Sequence, residues 1–216
     1  MTFYEIGKRI IDIIVSLVAI TLMGPVMAFI AIYVKIVSPN GPVFADTPLR
    51  VTKGGKEFKM YKFRSMIPNA HQWMLDHPEF HQEYIKNNYK VETDSDPRLL
   101  PGASLIRKTS LDEFPQFFNV LQGTMSVVGP RAYYPFELKE QSERYPETRE
   151  YVQKVISINP GITGPWQVSG RSAIGYKDRV RMDAEYADKR SLLYDLLIIL
   201  KTPYAIVAGE KGSPAK

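Results

Sequence analysis

The chain has 216 residues, 44% of them hydrophobic and 24% charged, and a formal net charge of +5. This supports the packed core of one domain, with or without a membrane element, and excludes wholesale disorder. There is no cysteine, which removes disulfide scaffolds, cysteine nucleophiles and thiolate metal sites; the basic balance favours anionic partners such as phosphorylated substrates, acidic lipid or nucleic acid.

The first element is a run of 22 uncharged residues, Ile13 to Val34. As a straight helix it would extend about 33 Å, enough to cross a hydrocarbon core. It is too long for a cleaved signal peptide, and no small-x-small cleavage site follows closely. Gly24-Pro25 falls in its middle, where proline removes a backbone donor and kinks a helix. Lys8 and Arg9 precede the run and Lys35 follows it, so flanking charge gives no orientation. A re-entrant helix that breaks at Gly24-Pro25 and returns to the same face satisfies both observations. A kinked span and the buried helix of a soluble protein are the other readings.

Ser38 to Pro42 is turn-rich. Val43 to Arg64 reads as a β-hairpin with its turn at Lys53-Gly54-Gly55-Lys56. Ile67 to Lys90 is polar, aromatic and partly helical, and Asp94 to Gly102 is loop-like. A helix near Asp112 to Gln122 places Phe114, Phe117, Phe118 and Leu121 on one apolar face, with Gly123 as its stop. Pro135 to Ile158 contains a charged helix, and Asn159 to Ser172 is a Gly/Pro-rich loop. Tyr176 to Lys189 is a charged helix. Leu192 to Ala208 is apolar but interrupted, and fits either a helix lying on a membrane surface or one packed on the core.

The densest chemical signal is Arg107 to Gln116. Pro115 is tolerated only in the first turn of a helix, which puts Asp112 and Glu113 at a helix start, where backbone dipoles favour negative charge and bound phosphate. Taken without its surroundings, the pair is better explained by helix capping: Ser110-x-x-Glu113 matches a capping box and Asp112 is a good N-cap. The surrounding short segments carry Lys62, Arg64, Arg107, Lys108, Arg131 and Arg171. Each alone reads as a solvated charge; together they could neutralise a diphosphate. A carboxylate can attack phosphorus to form an acyl phosphate, and a divalent ion on its neighbour would offset the repulsion between two anions. Pro160 to Arg171 is the second signal. Its glycines Gly161 and Gly164 permit close backbone approach, and Thr163, Gln167 and Arg171 carry donors for a base, ribose or phosphate; a purely structural turn is the alternative. His71, His77 and His81 lack an evident third ligand partner, and no zinc site is expected.

Read in order, these pieces resemble the bacterial sugar transferases, the small monotopic phosphoglycosyl transferases. The resemblance runs through Lys8-Arg9-Ile10-Ile11-Asp12, the proline-broken segment, Gly41-Pro42-Val43-Phe44 and Tyr61-Lys62-Phe63-Arg64-Ser65-Met66. It continues through Asp96-Pro97-Arg98, Arg107 to Pro115, Phe118 to Gly123, Ser126 to Arg131 and Pro160 to Arg171, and ends with Asp183-x-x-Tyr186 and Asp195. It implies an α+β, mainly helical fold. Residues 1–37 would form a re-entrant membrane helix broken at Pro25, and residues 38–216 a cytosolic catalytic domain with a small β-hairpin and interfacial amphipathic helices. It implies transfer of a sugar 1-phosphate from a UDP-sugar to polyprenyl phosphate at the bacterial inner membrane. In that scheme Asp112 is the nucleophile and Glu113 holds Mg²⁺. Lys62, Arg64, Arg107 and Arg131 bind phosphate, while Gly161, Thr163, Gly164, Gln167 and Arg171 bind nucleotide. Membrane lipid would be a partner and nucleic acid would not, and a homodimer is compatible with it.

Two departures accompany the resemblance. Family members usually carry Phe-x-Gln-x-Arg-x-Gly after the Val-Phe pair; Ala45 to Thr52 is one residue longer and lacks that glutamine and glycine. Ile67 to Glu92 is also longer than in the shortest members. The catalytic unit is expected without the large multispanning N-terminal region of longer relatives. A non-catalytic membrane scaffold of the same fold and a basic nucleic-acid-binding protein are the competing function classes.

Overall fold

The computed structural model describes residues 2–86, 91, 95–169 and 174–208. Helix α1 runs from Phe3 to Val37 with Pro25 inside it. Two compact units follow from the packing. The larger comprises Met1–Met23, Thr47–Tyr61 and Pro115–Lys216; the smaller comprises Gly24–Asp46 and Lys62–Phe114. The boundary inside α1 therefore falls between Met23 and Gly24, beside the proline. The division expected at residue 37 separates lipid from water, which is a different criterion.

In the larger unit, strands β1 (Arg50–Val51) and β2 (Glu57–Phe58) pair antiparallel, Arg50 opposite Phe58. The expected turn joins them, with Gly54 and Gly55 at φ 78° and 74°. The hairpin is shorter than expected; the Phe44–Phe63 bridge belongs to the smaller unit. Strands β3 (Ser126–Val128) and β4 (Gly161–Thr163) pair in parallel, Ser126 opposite Gly161 and Val128 opposite Thr163. Val120, Met125, Val128, Tyr186 and Ile198 are buried in one core cluster with Phe58 and Met60. Each such side chain stabilises the fold by roughly 1.5–3 kcal/mol through burial.

The remaining helices of this unit are α5 (Gln116–Gln122), α6 (Pro135–Arg144), α7 (Arg149–Val155), α8 (Pro165–Ser169), α9 (Tyr176–Lys189) and α10 (Leu192–Ala208). Tyr133, Leu138, Val152, Val155, Val180 and Ala184 make a second core cluster. α5 corrects an expectation. Its buried face is Gln116, Asn119 and Val120, while Phe118 is exposed and Phe117 and Leu121 are half-buried. Asn119 is buried because its amide bridges backbone: Oδ1 accepts from Tyr61 N–H at 2.8 Å and Nδ2 donates to the Lys59 carbonyl at 2.9 Å.

The smaller unit contains the C-terminal part of α1 with α2 (Ala70–Leu75), α3 (Pro78–Lys86) and α4 (Ala103–Lys108). Met27, Ile30 and Val34 form the buried stripe of that part of α1. The rest of α1 presents an apolar surface: Phe3, Ile14, Leu22, Phe29, Ile32 and Ile36 are all exposed. By length and composition α1 is able to cross a membrane, and only 17% of its most apolar window is buried in the protein. A soluble core helix would be covered on more sides. The chain is therefore mostly helical, with small sheets and an exposed apolar N-terminal helix suited to membrane association.

Candidate active site

The site in the smaller unit begins with backbone. Phe63 N–H donates to the Asp112 carbonyl at 2.8 Å, and Ala45 N–H to the Lys62 carbonyl at 2.7 Å. These bonds fix the segment carrying Lys62 beside the short 3₁₀ turn Leu111–Glu113. Ser110 starts that turn in the left-handed region, at φ 56°. For a non-glycine residue this costs roughly 1–3 kcal/mol. The capping box does not form: no side chain at Ser110 caps the turn.

Lys62 Nζ lies 2.9 Å from Asp112 Oδ2 and 3.2 Å from Glu113 Oε1. Asp112 is 2% exposed, whereas the side chains of Lys62 and Glu113 are 23% and 42% exposed. The nucleophile candidate thus sits behind its lysine, and the pair opens to solvent through Lys62 and Glu113. Burial raises the Asp112 carboxyl above its ordinary range, partly offset by the Lys62 ammonium and reinforced by Glu113. Burial also works to lower Lys62, but Glu113 and Asp112 together outweigh it and hold the ammonium above its usual value. Lys62 is thus within ion-pair distance of both carboxylates. Arg107, half-buried in the last turn of α4, adds positive potential at both Lys62 and Asp112 and makes no ion pair among the described residues.

Arg64 departs from its expected role. Its Nε donates to the Pro42 carbonyl at 2.6 Å, and its two terminal nitrogens donate to Ser38 Oγ and the Ser38 carbonyl, each at 2.7 Å. A Cβ on Gly41 would strike the guanidinium. At 5% exposed, Arg64 clamps the turn after α1 and is not offered to a substrate phosphate. Asp96 and Arg98 form a buried bidentate pair at 2.9 and 2.8 Å, and the Arg98 guanidinium lies 5.1 Å from the Phe80 ring centre. His77 stacks on Trp73 at 3.8 Å between ring centres.

In the larger unit the Gly/Pro-rich segment is strand and helix, not loop. Gly161 and Gly164 are glycine because β4 runs against the Gly129 backbone; a Cβ on either would overlap Gly129 atoms. The Thr163 hydroxyl shares a 2.8 Å hydrogen bond with the Thr202 hydroxyl of α10 and is buried. These three positions expected to bind nucleotide therefore have structural reasons to be what they are. Gln167 differs: it is half-buried and its Oε1 has no hydrogen-bond partner. Arg171 lies outside the described residues. Arg131 donates its backbone N–H to Asp183 at 3.1 Å, and its guanidinium lies 5.6 Å from the centre of the Trp166 ring.

Comparison with known proteins agrees with the order of these motifs. Residues 3–209 match the family described as bacterial sugar transferase. The chain belongs to that family. An uncharacterised sugar transferase of Haemophilus influenzae is 41% identical over 203 residues, 92% of this chain and 40% of that protein. The undecaprenyl-phosphate galactose phosphotransferase of Salmonella typhimurium is 37% identical over 93% of this chain and 40% of its own length. The exopolysaccharide production protein ExoY of Sinorhizobium fredii is 35% identical over 93% of this chain and 85% of its own length. The chain thus spans about two fifths of the first two relatives.

In this bacterial sugar transferase the N-terminal motif has a role that flanking-charge reasoning missed. Arg9 donates to the carbonyls of Val120 and Leu121 at 2.6 and 2.8 Å, the exposed end of α5. Asp12 accepts from Ser126 Oγ at 2.9 Å and Val127 N–H at 2.8 Å. Lys8 meets the Val128 carbonyl and Asp195, both at 2.9 Å, and Asp195 also accepts from Tyr186 at 2.6 Å and Tyr4 at 3.0 Å. Four helices, α1, α5, α9 and α10, and β3 are joined by these contacts. The i, i+4 spacing of Lys8 and Asp12 was the available signal, since it puts both on one face of α1.

Proposed function

We propose that this protein transfers a sugar 1-phosphate from a UDP-sugar to undecaprenyl phosphate, as the initiating step of a bacterial glycoconjugate. The observation that carries the reading is Asp112 paired to Lys62 and adjacent to the more exposed Glu113, on a strained turn, in a chain of this family. An Asp112 oxygen attacks the sugar-bearing phosphorus, the bond from that phosphorus to the bridging oxygen breaks, and UMP leaves. The lipid phosphate oxygen then attacks the same phosphorus, the aspartyl oxygen leaves, and the carboxylate is restored with a lipid diphosphate sugar as product. Lys62 and Arg107 supply positive potential for the diphosphate, and Arg131 is a further phosphate-binding residue.

A Mg²⁺ ion fits the donor set in a limited way. No group of three or more candidate ligands occurs among the described residues, but Mg²⁺ is commonly held by one or two carboxylates with substrate phosphates and water. Glu113 would be that carboxylate, and the ion would neutralise diphosphate charge. Helix α1, continuous through Pro25, would enter and leave the cytoplasmic face of the inner membrane by bending at Gly24-Pro25, with α10 lying at the interface.

Purified protein supplied with UDP-sugars, undecaprenyl phosphate and Mg²⁺ should release UMP and retain radiolabelled sugar phosphate covalently when the lipid is omitted. A second reading, a non-catalytic scaffold, draws on the burial of Asp112. Absence of UMP release with every UDP-sugar would favour it.

A further inference from the structure

Trp166 is buried, 8% exposed, and two cations lie against its ring. The Arg131 guanidinium is 5.6 Å from the ring centre and the Arg179 guanidinium, from α9, is 5.3 Å from it. Stacking an arginine on an indole is a common packing contact. Two on one indole repel each other and need a counter-charge. Asp183 is the acidic group here, one turn along α9 from Arg179 and fully buried. Its Oδ2 is occupied by the Arg131 N–H at 3.1 Å and the Tyr133 hydroxyl at 2.9 Å. Neither guanidinium has an ion pair or hydrogen bond to it or to any other described side chain.

Several buried polar atoms belong to these residues and their immediate neighbour Gln167. Arg131 Nε, Arg179 Nε, Trp166 Nε1, Gln167 Oε1 and Asp183 Oδ1 are all buried without a hydrogen-bond partner among the described residues. A buried donor without an acceptor is costly, and more so when charged. Both arginines are half-buried, so each keeps some surface accessible to solvent. A guanidinium presents a planar fork of donors that matches a phosphate.

We infer that Arg179 is a second phosphate-binding residue, acting with Arg131 at the Trp166 ring. The inference rests on the transferase reading for the source of the phosphate: the nucleotide donor or the lipid acceptor, which carry the same chemical group. Sequence reading gave Arg179 no role, because a lone arginine on a charged helix reads as a solvated side chain.

The test measures binding by equilibrium dialysis of labelled UDP, and separately of a short-chain polyprenyl phosphate in detergent, to the full chain. Arg179→Met keeps the packing on Trp166 and removes the charge. It should weaken binding of one of the two ligands at least tenfold, with Arg179→Lys intermediate and the thermal midpoint of both variants near that of the parent. Which ligand responds identifies the source. Emission of Trp166 in a Trp73→Phe background should change saturably with the same ligand. Unaltered binding of both ligands in Arg179→Met, or no binding of either to the parent chain, overturns the inference. Arg179-dependent binding in a protein that releases no UMP from any UDP-sugar would remove the transferase reading and leave the phosphate site standing.

Discussion

Two buried ionic clusters in this protein solve the same electrostatic problem differently. Around Asp195, every charge is matched: the carboxylate takes Lys8, Tyr186 and Tyr4, and Lys8 also reaches the Val128 carbonyl. Around Asp112, Lys62 reaches both carboxylates, the turn is strained, and solvent reaches the neighbours but hardly the aspartate. A satisfied network closed off from solvent fixes a fold; a buried carboxylate whose ion partner opens to solvent is a candidate for chemistry. The network at Asp195 fastens the N-terminal part of α1 to its unit. The cluster at Asp112 is where chemistry is proposed.

The sharpest way to break this contrast is Asp112→Asn. UMP release should fall roughly 10⁴-fold or more, as for removal of a nucleophile, and covalent labelling by sugar-labelled UDP-sugar should vanish. Stability should hold or rise, because a buried charge is removed while Glu113 remains 3.2 Å from Lys62. An Asp112→Asn protein that still becomes labelled would remove Asp112 as the nucleophile.

A pH titration comes next. Burial pushes the Asp183 carboxyl up to about 7, against hydrogen bonds from Arg131 and Tyr133 and the charges of Arg179 and Arg131, which act to lower it. A raised native value means the folded chain holds the proton longer than the unfolded one. The stabilisation is complete below about pH 4, falls as pH rises, and is gone above about pH 7, a total of roughly 4 kcal/mol. Asp183→Asn should flatten that part of the stability profile, measured by thermal unfolding in detergent from pH 4 to 8. The acid limb of activity has a separate origin. In the proposed mechanism Asp112 must be ionised to attack, and its raised value would place that limb above the ordinary carboxylate range.

For the satisfied network, Asp195→Ala should destabilise by about 3 kcal/mol, leaving Lys8 and two tyrosine hydroxyls without their acceptor. The figure is at the low end because the Lys8 side chain is 17% exposed and partly screened. Denaturation in detergent should show the loss, while UMP release per folded molecule should change little. The reverse pattern, full stability with lost turnover, would place Asp195 in the chemistry.

Much of the fold was legible because local rules were strong. Tyr176–Lys189 and Leu192–Ala208 are helices over the expected ranges, Gly123 ends α5 at φ 80°, and the Lys53–Lys56 turn joins a hairpin. Pairing at long range was not legible. Pro160–Gly164 contains turn residues, yet Gly161 is required by the parallel approach of β4 to Gly129, and nothing local announces a strand partner so far away in sequence. The face of α5 was misread for a related reason. Phe118 counts as core by composition, but Asn119 is buried for backbone bonds, and the aromatic residue is left exposed. At the site, residue types singled out Asp112, Glu113 and Lys62, and the structure brings Lys62 within ion-pair distance of both carboxylates. They did not reveal that Arg64 is spent on Ser38 and Pro42, since a guanidinium looks the same whether it faces a phosphate or a carbonyl.

The smallest effect probes the turn itself. Ser110 has φ 56°, a conformation glycine adopts freely and other residues adopt at a penalty. Glycine also adds entropy to the unfolded chain, which removes part of the gain. Ser110→Gly should therefore stabilise the protein by only about 0.5–1 kcal/mol. If the strain helps to hold Asp112 behind Lys62, the same change should lower UMP release a few-fold, because a more permissive backbone holds the carboxylate less firmly. Stability and turnover would then move in opposite directions at this residue. A Ser110→Gly protein that is less stable than the parent would mean the left-handed turn is not strained, and the contrast between the two clusters would rest on solvent access alone.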